Sequence, residues 1–348
     1  MKIRWGVIGC GGIADRRTLP GMMLSDKCEL VAVMDANKEA AEKCKDKYGA
    51  KYAFDKFEDV LAIPEIDAVY IASPVFAHKE QAIAAAKAKK HILLEKPVAL
   101  TTAEGEEIKK VCEAENVKIG IAFLMRYHNH HKKMKEILSM GKIGDIVSIR
   151  GHFAGWYCDV KGAWRQNKAL SGGGTLMDMG VHTIDVVRHI TGLNPVELAA
   201  YNQTQTFSYE VDDSSNIIMK MDNGCVAYFD THFNIPNDAT VSKLEIYGTK
   251  GSLIAYNTLG QLELGTLTVL SRDKVLEHDP LHAHVDFDSE VYEASPDENM
   301  YTKELDDMCM AIINDTDAPV SIEDAIFVQK IVEAAYKSSE EKKFVTIG

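Results

Sequence analysis

Residues 3–14 read IRWGVIGCGGIA, an apolar run that passes directly into a glycine-rich turn. A short apolar run bounded by glycines indicates a buried strand, and a segment compatible with a helix follows, up to about Leu24. Glycines in such a strand-to-helix turn let the backbone bend sharply and approach a pyrophosphate at the start of the helix. The turn residues predicted to bind a dinucleotide are Gly9, Gly11, Gly12 and Ile13.

An acidic residue follows the next apolar run. Residues 28–34 are predicted to form the second strand, which ends at Asp35. A carboxylate at this place can accept hydrogen bonds from a ribose 2′-hydroxyl and would repel a 2′-phosphate. Asp35 therefore predicts NAD as the cofactor and disfavours NADP.

Strand and helix patterns alternate up to residue 123. Six strands that alternate with helices predict a doubly wound parallel sheet, the Rossmann arrangement. We expect an α/β protein in which residues 1–123 form a dinucleotide-binding domain. Residues 124–348 are expected to form a second domain for substrate binding and oligomerisation, whose last helices could pack back on the first domain.

The run Ile92-Leu93-Leu94-Glu95-Lys96-Pro97 ends an apolar strand with a carboxylate, an amine and a proline. The carboxyl ends of parallel strands are where open α/β sheets bind ligands, so Lys96 is predicted to lie in a crevice. A strand that simply emerges into water is the alternative. The neighbouring strand and the helix after it add three predicted cofactor contacts, which are Ser73, Pro74 and His78.

The second half of the chain changes to period-two patterns. Strands are predicted near residues 146–153, 196–207, 214–221, 224–233, 241–247 and 251–256. They predict a large, mostly antiparallel open sheet with one face available for helices or another subunit. Residues 271–296 are expected to form a long loop that includes His278, His282 and His284.

A mostly apolar helix is predicted over residues 175–190, and its ionisable side chains share one stripe: Asp178, His182, Asp185 and His189. Ionisable groups on a buried helix must be paired or face a cavity, although a solvated stripe remains the alternative. Acid–base chemistry ranks above metal binding, because further ligands at suitable spacing are not evident.

A basic helix is predicted over residues 126–140. Its histidines, His128, His130 and His131, lack the i, i+4 spacing of a metal site on one helix face. We expect them to belong to a solvated face. The sequence therefore predicts no metal.

Composition limits the partners. The net charge of −13 over 348 residues disfavours nucleic acid. The N-terminus shows no secretory signal, and no apolar stretch approaches the length of a membrane span. Seven widely spaced cysteines fit reduced thiols rather than a disulfide or zinc framework, which predicts a cytoplasmic protein.

Four motifs in this order resemble the Gfo/Idh/MocA oxidoreductase family over essentially the whole chain. They are the turn at residues 9–14, Glu95-Lys96-Pro97, Trp164-Arg165, and Gly173-Gly174-x-x-x-Asp178-x-Gly180-x-His182-x-x-Asp185. The resemblance implies a Rossmann domain, an α/β domain whose open sheet mediates homodimers or homotetramers, and a nicotinamide cofactor. It also implies a sugar, polyol or related secondary alcohol as substrate.

The resemblance also implies residue roles. It maps the catalytic groups onto Lys96, Asp178 and His182. It places Glu95, Lys96, Trp164 and Arg165 at the cofactor. Substrate contacts are expected from Arg126, Tyr127 and His128 together with Asp178 and His182. One departure is visible, because Pro74-Val75 stands where the family often has Pro-Asn.

The implied reaction is hydride transfer between nicotinamide and a secondary alcohol or ketone of a sugar, cyclitol or glycoside. Two alternatives remain. One is an NAD-dependent glycosidase or lyase that works by transient oxidation and recycles its cofactor. The other is a sugar- and dinucleotide-sensing protein without chemistry.

Overall fold

The computed structural model describes residues 1–273, 287–295 and 299–348. It divides into two compact units, and each unit draws on three segments of the chain. The first unit comprises Met1–Leu124, Ala163–Gly172 and Asn299–Gln329, and the second comprises Met125–Gly162, Gly173–Glu298 and Lys330–Gly348. The division into domains of residues 1–123 and 124–348 stays a prediction. Within the described ranges, no helix combines the length and apolar character needed to cross a bilayer.

The first unit contains a six-stranded parallel sheet. Its strands are β1 (Ile3–Ile8), β2 (Cys28–Met34), β3 (Tyr52–Phe54), β4 (Ala68–Ile71), β5 (His91–Glu95) and β6 (Ile119–Ala122). Their order in the sheet is β3-β2-β1-β4-β5-β6, and every neighbouring pair is parallel. The predicted doubly wound Rossmann sheet is confirmed.

Ten α-helices accompany the sheets in the described residues. They are α1 (Leu19–Leu24), α2 (Lys38–Tyr48), α3 (Phe57–Leu61), α4 (His78–Lys87), α5 (Thr102–Glu115), α6 (Asn129–Ser139), α7 (Lys168–Ser171), α8 (Val181–Thr191), α9 (Met300–Ile313) and α10 (Ile322–Glu341).

Local sequence signals explain where two of these helices begin and end. The Asn37 side chain accepts hydrogen bonds from the first backbone N–H groups of α2, and Gly49 ends that helix in the left-handed region with φ of 73°. Thr101 caps α5 in the same way, and Asn116 ends it with φ of 53°. These residue types satisfy terminal backbone groups that a helix leaves unpaired.

The core of the first unit joins distant parts of the chain. Trp5 and Tyr70 are fully buried between the strands and their covering helices. Helix α9 contributes Leu305, Met308 and Cys309 to the same apolar cluster. The apolar core beside the Rossmann sheet is therefore completed by residues that lie almost 300 positions after the first strand.

The second unit contains a nine-stranded sheet. Its strands are β7 (Ile146–Ala154), β8 (Pro195–Gln203), β9 (Ser214–Met221), β10 (Val226–His232), β11 (Lys243–Gly248), β12 (Gly251–Tyr256), β13 (Thr266–Ser271), β14 (Asp288–Glu293) and β15 (Val345–Thr346). Their order is β14-β13-β12-β11-β7-β10-β9-β8-β15. Only the β7–β10 pair is parallel among these strands, so the predicted mostly antiparallel sheet is confirmed.

The loop predicted over residues 271–296 is wrong in part. Residues 288–293 form β14, which pairs antiparallel with β13. The charged, irregular sequence of β14 hid its strand character, because an edge strand needs little apolar alternation. His278, His282 and His284 lie outside the described residues.

The two faces of the second sheet differ. A side chain at Gly151 of β7 would meet Thr183 of α8 at 2.6 Å and Phe229 of β10 at 3.0 Å, so this face packs against α8. The alternate residues point to the opposite face, where Tyr201, Ile218 and Tyr228 are exposed. We call this second surface the open face.

Candidate functional site

The glycine turn after β1 has a geometry that other residues would not adopt easily. Gly9 has φ of 85° and Gly12 has φ of 49°. A side chain at Gly9 would lie 2.6 Å from the backbone nitrogen of Ser73 at the end of β4. The helical residues begin at Gly12 and continue to Leu24. The close backbone approach and the helix start fit a bound pyrophosphate.

Asp35 lies beside this turn. Its Oδ1 accepts the backbone N–H of Asn37 at 2.9 Å. Its Oδ2 is 3.4 Å from the position that a side chain at Gly11 would occupy. A carboxylate next to the glycine turn fits the hydroxyls of an adenosine ribose, so the residues of the first unit fit a nicotinamide dinucleotide.

The carboxylate before Lys96 is fixed within the fold. The Tyr70 hydroxyl donates to Glu95 Oε1 at 2.5 Å, and the Thr18 hydroxyl donates to the Tyr70 oxygen at 2.9 Å. Glu95 Oε2 accepts the backbone N–H of Lys96 at 3.2 Å. Burial raises the pKa of Glu95, while the Tyr70 hydroxyl and the charges of Lys96 and Arg165 oppose that rise. Glu95 therefore holds the backbone at Lys96.

A second carboxyl, on α9, is coupled electrostatically to Glu95. Glu304 of α9 is 2% exposed, and burial together with the charge of Glu95 raises its pKa well above the usual value. Burial and the neighbouring carboxylate both disfavour a negative charge on Glu304. Glu304 was not predicted from the sequence, since it lies on a late helix with no motif around it.

His78 connects two strand ends. Its Nδ1 lies 2.9 Å from the carbonyl oxygen of Pro97, and its Nε2 lies 2.9 Å from that of Ser73. Burial lowers the pKa of His78 to about 4. The ring therefore bridges the loops that follow β4 and β5 and helps to fix the backbone that follows Lys96. Direct contact of His78, Ser73 or Pro74 with the cofactor stays a prediction.

Trp164 and Arg165 belong to the first unit although they come after its sheet in sequence. They form a 3₁₀ turn over Trp164–Gln166, in which the Arg165 guanidinium lies 4.3 Å from the centre of the Trp164 ring. Stacking of this kind holds a guanidinium in place. The charge of Arg165 acts on Glu95, so the motif and the Lys96 strand end share one electrostatic environment.

Asp178 and His182 lie at the start of the helix that packs under the second sheet. A π-helical turn, Leu176–Gly180, carries Asp178 and leads directly into α8, which carries His182. Both side chains are partly exposed. Single π-helical turns within helices frequently occur at functional sites.

Asp185 has a different role from its neighbours on the stripe. It is 1% exposed and accepts from Arg126 Nε at 2.9 Å and Nη2 at 2.5 Å. This two-bond pair satisfies both buried charges. The predicted stripe therefore separates into a buried structural pair and the partly exposed Asp178 and His182.

The expected solvated face of the histidine-rich helix is wrong. His128, His130 and His131 are 0%, 3% and 0% exposed. His128 Nε2 and His130 Nε2 lie 3.0 Å from backbone carbonyl oxygens of Leu264 and Gly265. These rings bind a distant loop, which local periodicity could not reveal. Tyr127 is also buried, and substrate contact by Arg126, Tyr127 or His128 stays a prediction.

One positioning residue was missed. Asp212 accepts the backbone N–H of Gly174 at 2.8 Å, that of Leu176 at 2.9 Å and the Tyr336 hydroxyl at 2.7 Å. A side chain at Gly174 would collide with the Asp212 backbone, and one at Gly173 would collide with Tyr336. Glycines at 173 and 174 therefore leave the space that Asp212 and Tyr336 occupy. We call the Asp212 carboxylate with its three hydrogen bonds the Asp212 clamp, and it fixes the turn before Asp178.

Comparisons with known proteins identify the family of this chain. Residues 3–123 match the sequence model of the oxidoreductase family with an NAD-binding Rossmann fold, and residues 131–254 match the GFO/IDH/MocA C-terminal domain. The chain is 29% identical to 1,5-anhydro-D-fructose reductase of Ensifer adhaerens over 267 residues, 76% of this chain and 79% of that protein. It is 28% identical to levoglucosan dehydrogenase of Pseudarthrobacter phenanthrenivorans over 247 residues, 64% of this chain and 63% of that protein.

Solved structures show the same fold. An aldose-aldose oxidoreductase from Caulobacter crescentus superimposes with a TM-score of 0.88 at 23% identity, covering 99% of this chain and 100% of that one. A levoglucosan dehydrogenase in complex with NADH gives a TM-score of 0.88 at 23% identity, covering both chains completely. With both family domains matched in order, the chain belongs to the Gfo/Idh/MocA family of oxidoreductases, and its first 123 residues include the NAD-binding Rossmann fold.

Proposed function

We propose that this oxidoreductase transfers a hydride between NAD and a secondary alcohol or ketone of a sugar, cyclitol or glycoside. The observation that carries the proposal is the glycine turn with Asp35 beside it, in the same compact unit as the anchored Glu95-Lys96 strand end. Relatives named as an anhydrofructose reductase and a levoglucosan dehydrogenase support a carbohydrate substrate.

Each catalytic residue has a defined role in this proposal. NAD, when bound, would accept the hydride from the carbinol carbon of the substrate. His182 takes the hydroxyl proton, a task that suits a group whose reference pKa is near 6.5. Asp178 orients the imidazole and stabilises its charged form. Lys96 donates a hydrogen bond to the reacting oxygen and stabilises negative charge that develops there.

Cofactor choice and contacts complete the proposal. Asp35 favours NAD over NADP, because a 2′-phosphate would meet its carboxylate. Trp164 and Arg165 contact the cofactor beside Lys96. We also propose that the chain acts in the cytoplasm, and that it forms a homodimer or homotetramer through the open face.

The catalytic assignment is tested with Lys96→Met and His182→Asn. Loss of one such group typically lowers turnover about 10²–10³-fold, so both variants should lose nearly all turnover. Both variants should still bind NAD, as measured by quenching of protein fluorescence. Screening NAD reduction across cyclitols, aldoses and glycosides supplies the substrate for the assay.

Two controls sharpen this test. Lys79→Met removes a surface lysine paired with Glu107, and His189→Gln changes another histidine of α8, so both should keep turnover. Near-normal turnover in Lys96→Met or His182→Asn would contradict the assignment. Product formation without net NADH would instead identify the cofactor-recycling glycosidase or lyase.

A further inference from the structure

Three potential metal ligands meet on the open face of the second sheet. His152 of β7 lies directly opposite Asp230 of β10 in the parallel pair, and His232 follows two residues later on the same face. His152 Nδ1 is 2.5 Å from Asp230 Oδ2, and His232 Nε2 is 3.1 Å from the same oxygen. The three ligand atoms all lie within 4.8 Å of one another. Strand register, not sequence spacing, brings them together.

The outer nitrogens of both rings are held by hydroxyl groups. His152 Nε2 lies 2.8 Å from Thr240 Oγ1, and His232 Nδ1 lies 3.0 Å from Ser214 Oγ. When these outer nitrogens carry the protons and donate to the hydroxyls, the inner nitrogens direct lone pairs toward the carboxylate oxygen. Three lone-pair donors that converge in this way can share one cation, whereas the opposite tautomers would place N–H donors against Asp230 Oδ2. Orientation of ligand histidines through their other nitrogen is a general feature of metal sites.

The surroundings leave the cluster accessible. In the single chain the side chains of His152, Asp230 and His232 are 26%, 16% and 15% exposed, so an ion can enter from the open face before copies of the chain assemble through it. Lys243 stands opposite His152 on β11. Its ammonium lies 5.3 Å from the centre of the Tyr256 ring, where it makes a cation–π contact along its own strand pair.

We propose that His152, Asp230 and His232 form a binding site for a divalent ion of the zinc class. Two imidazoles and one carboxylate, with a fourth position open to water, are a donor set that zinc uses. The site is on the sheet face opposite α8, away from the helix that carries His182. Its role is to link β7 with β10, two strands distant in sequence. The proposal is independent of the proposed redox reaction and differs from the expectation that the chain binds no metal.

The test uses tag-free, full-length protein freed of metal with a chelator. Titration with Co²⁺ should give visible d–d absorption that saturates at one ion per chain, and Zn²⁺ should abolish this absorption by displacement. Equilibrium dialysis with Zn²⁺ measures the same stoichiometry. Zinc should also raise the thermal unfolding midpoint, since it binds the folded state.

Variants locate the ion. His152→Gln and His232→Gln should each lose stoichiometric binding, whereas Ser214→Ala keeps all three ligands and should weaken binding about 10-fold. His91→Gln, a histidine of the first unit, should bind as the wild type does. Far-UV circular dichroism establishes that each variant is folded.

Two results would overturn the site. Folded wild-type protein that takes up no stoichiometric Co²⁺ or Zn²⁺ would show that the cluster is only a hydrogen-bonded histidine–aspartate–histidine triad. Equal uptake by His152→Gln and His232→Gln would show that the ion binds elsewhere. The wild-type titration decides the first point even where a variant fails to fold.

Discussion

Lys96 follows a side chain that is committed to the fold. Glu95 is held by the Tyr70 hydroxyl and in turn accepts the Lys96 backbone N–H. Its carboxyl group therefore lies next to the lysine backbone in a fixed position. The motif residue Glu95 is best described as a positioning residue, because its oxygens bind the protein itself.

Asp35 provides a prediction about cofactor choice. Asp35→Ser removes the carboxylate that would repel a 2′-phosphate, so the preference for NAD should fall. A lost hydrogen bond to a charged group is worth about 1.5–3 kcal/mol, which corresponds to roughly 10–100-fold in kcat/KM for NAD. Steady-state kinetics with NAD and NADP measure the ratio. The exposed Asp55→Ser should leave it unchanged, and an unaltered ratio in Asp35→Ser would refute the role.

At the level of elements, the turn before α8 depends on the Asp212 clamp. Asp212→Asn replaces one carboxylate oxygen with an NH2 group, which cannot accept a hydrogen bond. At least one of the hydrogen bonds from Gly174, Leu176 and Tyr336 is therefore lost. We expect a loss of about 1–3 kcal/mol in the free energy of unfolding, measured by urea denaturation. Turnover should fall while NAD binding persists, because the clamp lies in the second unit.

A milder variant separates the parts of this clamp. Tyr336→Phe removes only the hydroxyl and leaves both backbone N–H contacts of Asp212 intact. It should cost less stability than Asp212→Asn. Equal stability of Asp212→Asn and the wild type would show that the turn does not need the clamp.

Helix α6 carries a prediction about pH. His131 Nδ1 lies 2.7 Å from the Met125 carbonyl and Nε2 lies 3.1 Å from the Thr258 hydroxyl, which suits a neutral ring. Burial lowers its pKa from 6.5 to about 4. Between these values the unfolded chain binds a proton that the folded chain does not, so His131 makes stability fall as pH falls through this window.

His131→Gln lacks this pH-dependent term. The variant should be less stable than the wild type at pH 7, but the difference should shrink below pH 6.5, by up to about 1.4 kcal/mol per pH unit. Denaturant unfolding at several pH values measures both proteins. A difference that stays constant from pH 7 to pH 5 would show that His131 titrates normally in the folded state.

The sequence predicted elements better than it predicted partners. Apolar runs located the six Rossmann strands, since burial on both faces leaves a strong local signal. The same reasoning failed for His128, His130 and His131, each of which has a partner more than 120 residues away. Asp212 was missed for the same physical reason, because its contacts with Gly174 and Tyr336 exist only after the chain has folded.

At the scale of the whole molecule, the open face provides a prediction about assembly. Tyr201 and Ile218 are 73% and 43% exposed there. Apolar side chains exposed together mark interaction surfaces. Introducing charge with Tyr201→Glu and Ile218→Glu should convert the expected dimer or tetramer to a monomer, as measured by light scattering after size exclusion.

A control separates assembly from general surface change. Met140 is 66% exposed and lies outside the sheet, directly after α6. Met140→Glu should keep the wild-type mass. A wild-type monomer, or an unchanged mass in the doubly substituted protein, would contradict assembly through the open face.

The contribution of α9 to the first core has a consequence for synthesis on the ribosome. Residues of β1 and β2 emerge first, but Leu305, Met308 and Cys309 complete their apolar cluster. The nascent Rossmann sheet therefore waits, with part of its core uncovered, until more than 300 residues have been translated. Chaperone binding to the growing chain should accordingly persist through most of translation, and release should coincide with the emergence of α9.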